Sequence, residues 1–153
     1  MAFGLGNLAN GLLGNLSEQN NDNLEKEFGK YLLDGEIIER GFKLVRDFVL
    51  FTNIRIIDIN KQGATGKKTS FESIYLMNII DVSMETAGAG IDDSEIVITY
   101  LNNVKRRAHT ESYGSRKFEF PKNADIVPLY RLLATLAYKN RIEINAEPGE
   151  IES

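Results

Sequence analysis

Hydrophobic and polar positions in this chain alternate with a period near two from about residue 36 to residue 120. The cleanest case is residues 79–86, where Ile80, Val82 and Met84 alternate with polar neighbours. Short polar or glycine-containing breaks separate this run from six others: 36–44, 47–53, 55–61, 69–78, 95–101 and 115–120. Alternation over short runs with such breaks is typical of antiparallel strands. The pattern therefore predicts a seven-stranded antiparallel sheet.

A helical period precedes this region. Leu24, Phe28 and Tyr31 share one face of a helix predicted over residues 23–33, with Asn23 as its N-cap. Asp34-Gly35 is predicted to end the helix and turn the chain.

A second helical period follows the sheet region. Asp125 is a suitable cap, and Pro128 lies in the first turn, where its missing N–H costs nothing. The helix is predicted to end near Arg141, and one apolar stripe runs along it: Ile126, Tyr130, Leu133 and Ala137. An antiparallel sheet buries one face and must protect its edges. We therefore expect a mainly β (α+β) fold, a partly open barrel or sandwich capped by this C-terminal helix.

The first sixteen residues form an apolar segment rich in glycine. Leu5, Leu8, Leu12 and Leu16 have helical spacing, but each interspersed glycine costs a helix about 1 kcal/mol. We expect this short helical extension to order against its own domain or a neighbouring subunit, which makes the four leucines candidate oligomer or partner contacts. A membrane-surface anchor is the alternative, disfavoured because the segment lacks Lys and Arg. The predicted organisation is an extension at 1–22, one domain at 23–141 and an acidic, flexible tail at 142–153.

Composition narrows the functional classes. A chain of 153 residues with a net charge of -4 lacks the basic character of most nucleic-acid-binding domains. It contains no cysteine, which excludes disulfides, thiolate metal sites and cysteine nucleophiles. No apolar run is long enough to span a bilayer, and the first residues do not resemble a signal peptide. We expect a cytoplasmic protein with at most peripheral membrane contact.

Three ordered blocks carry a family resemblance. The run KLVRDFVLFTNIRIIDINKQGATGKKT at 43–69 is similar to a motif of the bacterial pleckstrin-homology (PH) domain family. The segment ETAG at 85–88, followed by Asp92, Asp93 and Glu95, resembles a second motif of that family, and LLGNLSE at 12–18 a third. Two departures are Asn60, where the family often has Asp, and a more basic loop at 105–109.

The resemblance covers residues 10–140 and implies a seven-stranded PH barrel with a C-terminal helix. It also implies ring-shaped homo-oligomers, often pentamers. It implies no activity, because the family was long described as one of unknown function.

Candidate chemistry is sparse. Five cations flank a predicted turn at Tyr113-Gly114 and form a candidate anion-binding surface: Lys105, Arg106, Arg107, Arg116 and Lys117. The alternative is a solvated or subunit-facing surface. His109 is the only histidine, so no typical zinc site is expected. The loop at 61–68 has glycines three apart and precedes a strand, which excludes a P-loop.

We therefore predict a non-catalytic module without cofactor or metal. It is expected to assemble with itself and to bind a protein partner that the sequence does not identify. Binding of an anionic ligand or lipid headgroup through the basic loop is the alternative function.

Overall fold

The computed structural model describes residues 21–45, 47–62, 68–88 and 93–148. Helix α1 spans Asn21–Phe28 and continues into a 3-10 turn at Gly29–Tyr31, and a second 3-10 turn lies at Leu76–Asn78. The C-terminal helix, α2, spans Val127–Ala146. The strands are β1 (Ile38–Lys43), β2 (Phe48–Thr52), β3 (Arg55–Gln62), β4 (Lys68–Tyr75), β5 (Ile79–Glu85), β6 (Ser94–Leu101) and β7 (Tyr113–Phe120).

The seven predicted strands are confirmed and form two antiparallel sheets. The first has the order β1-β2-β3-β4 and the second the order β5-β6-β7. At one corner the Val45 N–H donates to the Glu119 carbonyl oxygen over 3.0 Å, which links the β1 end to β7. Among the described strands β4 and β5 do not pair with each other, so the fold is a sandwich rather than a closed barrel.

The main core lies between the two sheets and α2. It is built from inward side chains of both sheets, such as Phe51, Ile96 and Phe118, and from the buried face of the helix. Leu133 is 1% exposed and Tyr130 packs against the core, as the predicted stripe requires. Burial of alternate strand positions and of one helix stripe explains both sequence periods.

A second core lies on the outer face of the first sheet. Leu24 and Phe28 of α1 pack there with Leu50 and with buried isoleucines of the sheet. Gly41 of β1 makes room for this contact, because a Cβ at that position would lie 2.6 Å from a Leu24 methyl carbon. The first sheet is therefore covered on both faces.

Helix α2 is fixed by a buried polar contact. The Asn140 side-chain amide donates to the carbonyl oxygens of Leu76 and Ile79, over 2.7 Å and 2.8 Å. These bonds satisfy carbonyl groups at the connection between β4 and β5. At the other end, the N-cap is Ile126 and not the predicted Asp125, although the Asp125 side chain accepts from the Val127 N–H over 3.2 Å.

Several predicted boundaries differ from the structure. Helix α1 already includes Asn23, so this residue is not its cap. Helix α2 continues to Ala146, whereas Arg141 was its predicted end. Residues 113–114 belong to β7 and not to a turn, because they pair with Leu101 and Tyr100 of β6. Gly114 lies against the Tyr100 ring, where a Cβ would come within 2.7 Å of a ring carbon. Gly35 does form the predicted turn, with φ at 79°.

Candidate functional site

The basic loop between β6 and β7 docks on the end of α2. Arg106 donates to the Met77 carbonyl oxygen over 3.0 Å and pairs with Glu143 and Glu147. Arg107 donates to the main-chain carbonyls of Asn145 and Glu147, over 2.9 Å and 3.1 Å. Cations are favourable at a helix C-terminus because they meet its unpaired carbonyl groups. These contacts explain why α2 extends past its predicted end, and we call this contact region the loop clamp.

The two cations of β7 have other partners. Arg116 pairs with Asp58 of β3, at 3.2 Å, and with Glu72 of β4, and so connects the two sheets. Lys117 pairs with Glu95 of the neighbouring strand β6 at 3.4 Å. Adjacent strand residues point to opposite faces, so the Arg116 and Lys117 side chains diverge.

The five predicted anion-binding residues therefore do not share one set of partners. Arg106 and Arg107 contact the C-terminal helix, Arg116 bridges the sheets, and Lys117 pairs along the second sheet. Lys105 also has an interaction partner, as does His109. Whether this surface binds an anion remains a prediction. Leu5, Leu8, Leu12 and Leu16 lie outside the described residues.

A pocket of about 430 Å³ lies beside the loop clamp. Leu101 and Ile144 supply its apolar lining, and Arg141 contributes a cation. The Arg141 Nε donates to the Ile80 carbonyl oxygen over 2.6 Å. The sequence did not predict this pocket, because its walls come from strands, a loop and a helix that are far apart along the chain. The one sequence feature that pointed to it was Arg141, a cation at the predicted end of the C-terminal helix.

Acidic groups also line this pocket. The Tyr113 hydroxyl donates to the Glu111 carboxylate, and this hydrogen bond raises the pKa of Tyr113. Asp81 accepts a hydrogen bond from the Val82 N–H over 2.9 Å. One arginine thus faces two carboxylates that already have donors, so the pocket is mixed in charge and not a simple anion site.

An exposed aromatic surface borders the second core. The rings of Tyr31 and Phe71 lie 4.4 Å apart between centroids. Tyr75 lies on the same face of β4 as Phe71, and the exposed fractions of Tyr31, Phe71 and Tyr75 are 44%, 36% and 44%. We call these three side chains the outer patch. β4 is an edge strand of its sheet.

A buried carboxylate network fixes the turn that precedes β1. The Glu36 side chain is fully buried and accepts hydrogen bonds from Arg55, from the Thr52 hydroxyl and from the Leu33 N–H. Burial acts to raise the pKa of Glu36, but these hydrogen bonds and the Arg55 charge outweigh it, and the net pKa is lowered. The network therefore fixes the chain between the 3-10 turn and β1.

Comparison with known proteins agrees with this architecture. The family model described as "Bacterial PH domain" matches residues 7–137. This chain belongs to the bacterial PH-domain family. The resemblance carried by the three sequence blocks is thereby confirmed.

Individual relatives and solved structures show how far the similarity extends. The chain is 39% identical over 126 residues to the uncharacterized protein YjqA of Bacillus subtilis (strain 168), covering 82% of this chain and 94% of that protein. A solved protein with a pleckstrin-homology domain from Shewanella loihica is 31% identical, with a TM-score of 0.59 over 81% of this chain and 98% of that one. The corresponding domain from Shewanella amazonensis is 33% identical, with a TM-score of 0.60 over 84% and 96%.

The family supports a PH-like module and names no reaction. Within the described ranges, no three His, Cys, Asp or Glu side chains are grouped to hold a metal ion. In the same ranges, no helix is long and apolar enough to cross a bilayer.

Proposed function

We propose that this bacterial PH domain is a non-catalytic interaction module that assembles into a homo-oligomeric ring through the outer patch. The observation that carries the proposal is the exposure of Tyr31, Phe71 and Tyr75 beside an edge strand. Aromatic side chains dominate the centres of protein interfaces, because they bury a large area at a small entropic cost. Three of them together on a small domain favour a protein contact.

The position of the outer patch favours contact between copies of this chain. It lies at the edge strand β4, and a head-to-tail contact between this edge and a different surface of the next copy closes into a ring when the rotation permits. Covering β4 would also protect its unpaired backbone groups from non-specific association. Because the family resemblance implies pentamers, we propose a ring of five copies.

The apolar N-terminal segment is proposed to add to the same assembly. Leu5, Leu8, Leu12 and Leu16 precede helix α1, whose own Leu24 and Phe28 pack on the outer face of the first sheet. We propose that these leucines contact the neighbouring copy. Their replacement by serine should then weaken the oligomer and leave the folded domain intact.

Light scattering coupled to gel filtration tests the assembly. The unmodified chain is expected to elute with a mass several times that of one chain at tens of micromolar. The double variant Phe71→Lys/Tyr75→Lys should elute as a monomer, because two charges cannot be buried in an apolar contact. Val104→Lys is the matched control, since Val104 is fully exposed in a loop. A monomeric parent chain, or an unchanged oligomer in the double variant, contradicts the proposal.

The unknown protein partner and the cytoplasmic location remain part of this proposed function. Anionic ligand binding is less well supported, because a ligand would have to displace the carboxylate and carbonyl partners of Arg106 and Arg107. Co-sedimentation of Arg106→Glu/Arg107→Glu with anionic liposomes, compared with the parent chain, separates the two functions.

A further inference from the structure

Strand β5 has an open edge. It is an edge strand of the second sheet, and beside α2 the Ile80 carbonyl oxygen accepts from Arg141 while the Val82 N–H donates to the Asp81 carboxylate. Residues two apart point the same way in a strand, so the backbone groups of Met84 also point to the open side. Within the described part of the chain, no strand pairs with β5 on that side. This edge can accept another strand.

Helix α2 flanks this open edge with half-exposed apolar side chains. Val127, Tyr130, Ala134 and Tyr138 are spaced at i, i+3, i+7 and i+11 and form one stripe. Arg141 follows on the same side of the helix and bonds to the Ile80 carbonyl of β5. The stripe therefore faces the side of α2 on which β5 lies. Edge and stripe together form a groove, which we call the β5 groove.

The pocket beside the loop clamp closes one end of the β5 groove. Arg141 uses its Nε for Ile80, and its two terminal nitrogens have no partner among the described residues. A guanidinium whose two terminal NH2 groups are unused binds a carboxylate strongly. The carboxylates of Asp81 and Glu111 already accept hydrogen bonds, and they disfavour an occupant with more than one negative charge here.

These features define the chemistry of an occupant. Open backbone donors and acceptors require an extended main chain, and the apolar stripe requires apolar side chains at alternate positions. An antiparallel strand, the slightly more stable pairing, places its C-terminal end at the start of β5. Its carboxylate would then meet Arg141.

We propose that the β5 groove binds an extended peptide segment of a partner protein, with alternating apolar residues and one carboxylate at its C-terminal end. The segment adds to β5 as a fourth strand of the second sheet. Without the segment, the Asp81 carboxylate accepts the hydrogen bond from the Val82 N–H. A backbone carbonyl of the bound segment would take the place of that carboxylate. The groove is separate from the outer patch, so substitutions in the outer patch can test self-assembly without altering the groove itself.

Fluorescence polarisation with a defined peptide set tests the proposal. The probes are fluorescein-labelled peptides of about ten residues, enough for one strand and its flanks. Alternate positions carry Val, Ile, Leu or Phe, and the others carry Ser or Thr. All peptides have an amidated C-terminus, and the last residue is Asp or, in a matched set, Asn. Saturable binding by Asp-terminated members with apolar alternation is expected. Absence of saturable binding across the set overturns the proposal.

Variants identify the groove as the binding site. Arg141→Gln should weaken binding of the Asp-terminated peptide roughly tenfold, the scale of one charge-assisted contact, and should leave the Asn-terminated peptide unchanged. Asp81→Ala should strengthen binding, because it exposes the Val82 N–H and removes a repelling charge. Lys122→Gln, at an exposed cation in the connection before α2, is the control for charge removal. Equal effects of Arg141→Gln and Lys122→Gln overturn the assignment.

Amide chemistry distinguishes strand addition from side-chain contact alone. Hydrogen exchange at the Val82 and Met84 amides should slow when the peptide binds. In an added strand, every second peptide N–H points toward β5. N-methylation of those backbone amides should abolish binding, whereas N-methylation of the other amides should not. Unchanged exchange at these two amides, or shifts confined to the outer patch, contradict the proposal. Phe71→Lys/Tyr75→Lys should bind the peptide normally, which keeps this test apart from that of self-assembly.

Discussion

Two carboxylate–guanidinium pairs in this domain differ in how well they are satisfied. Glu36 accepts from Arg55, Thr52 and the Leu33 main chain, and its pKa is lowered. Asp58 is 4% exposed and meets Arg116 at 3.2 Å, but its second oxygen is buried without a hydrogen bond.

The pKa of Asp58 is consequently raised. Burial is the larger cause, the neighbouring charge of Asp47 adds to it, and the Arg116 charge opposes both. A buried ion pair contributes stability when hydrogen bonds satisfy its remaining lone pairs, and otherwise desolvation dominates. Both carboxylates lie within 3.2 Å of an arginine, so the comparison shows that proximity of opposite charges alone does not satisfy a buried carboxylate.

The largest effect is expected from Glu36→Gln. This change leaves the Arg55 side chain, 12% exposed, without its counter-ion, and should lower the free energy of unfolding by about 3 kcal/mol at neutral pH. Urea denaturation measures the loss. Glu95→Gln is the control, because its partner Lys117 is half exposed and the pair should contribute less than about 1 kcal/mol. Similar losses in both variants would contradict the distinction.

The dependence of stability on pH should separate the two carboxylates. The contribution of Glu36 is present above its ordinary pKa of 4.5 and is lost as pH falls below that value, because its folded pKa is lower. The penalty on Asp58 is absent below its ordinary pKa of 3.8 and grows as pH rises through its raised folded value. The gap between the parent chain and Glu36→Gln should therefore shrink on acidification. A gap that is constant from neutral pH to below 4 would exclude the mechanism.

The smallest effect is expected from Asp58→Asn. Arg116 keeps Glu72 as a partner and is one-third exposed, so the free energy of unfolding should change by less than about 1 kcal/mol at neutral pH. Relative to the parent chain, this variant should gain stability as pH rises, which is the opposite trend to that of Glu36→Gln. Thermal unfolding at several pH values measures both trends, and parallel curves would contradict the assignment.

Much of the fold follows from the order of side chains along the chain. Alternation at Ile80, Val82 and Met84 marked β5, and the stripe through Leu133 marked the buried face of α2. These signals are local, because burial of one face imposes a period on a single element.

The rest depends on contacts between distant positions. Arg106 contacts partners 37 and 41 residues away. The local sequence around Arg106 and Arg107 gives no sign that these two side chains contact the end of α2. Gly114 was predicted to lie in a turn, whereas it pairs with Tyr100 on the adjacent strand β6 and so belongs to β7. Burial of Glu36 was likewise not apparent, since it depends on Thr52 and Arg55 converging from other strands.

The loop clamp has a consequence for affinity. Glu111 and Tyr113 follow the loop that Arg106 and Arg107 hold, while Arg141 lies on the helix that they grip, so the walls of the pocket are joined before any ligand arrives. A site that is already ordered loses little conformational entropy when a ligand binds, so more of the contact energy contributes to the binding free energy. Substitutions that break the loop clamp should thus lower the affinity of a ligand in the pocket even when that ligand does not contact Arg106 or Arg107.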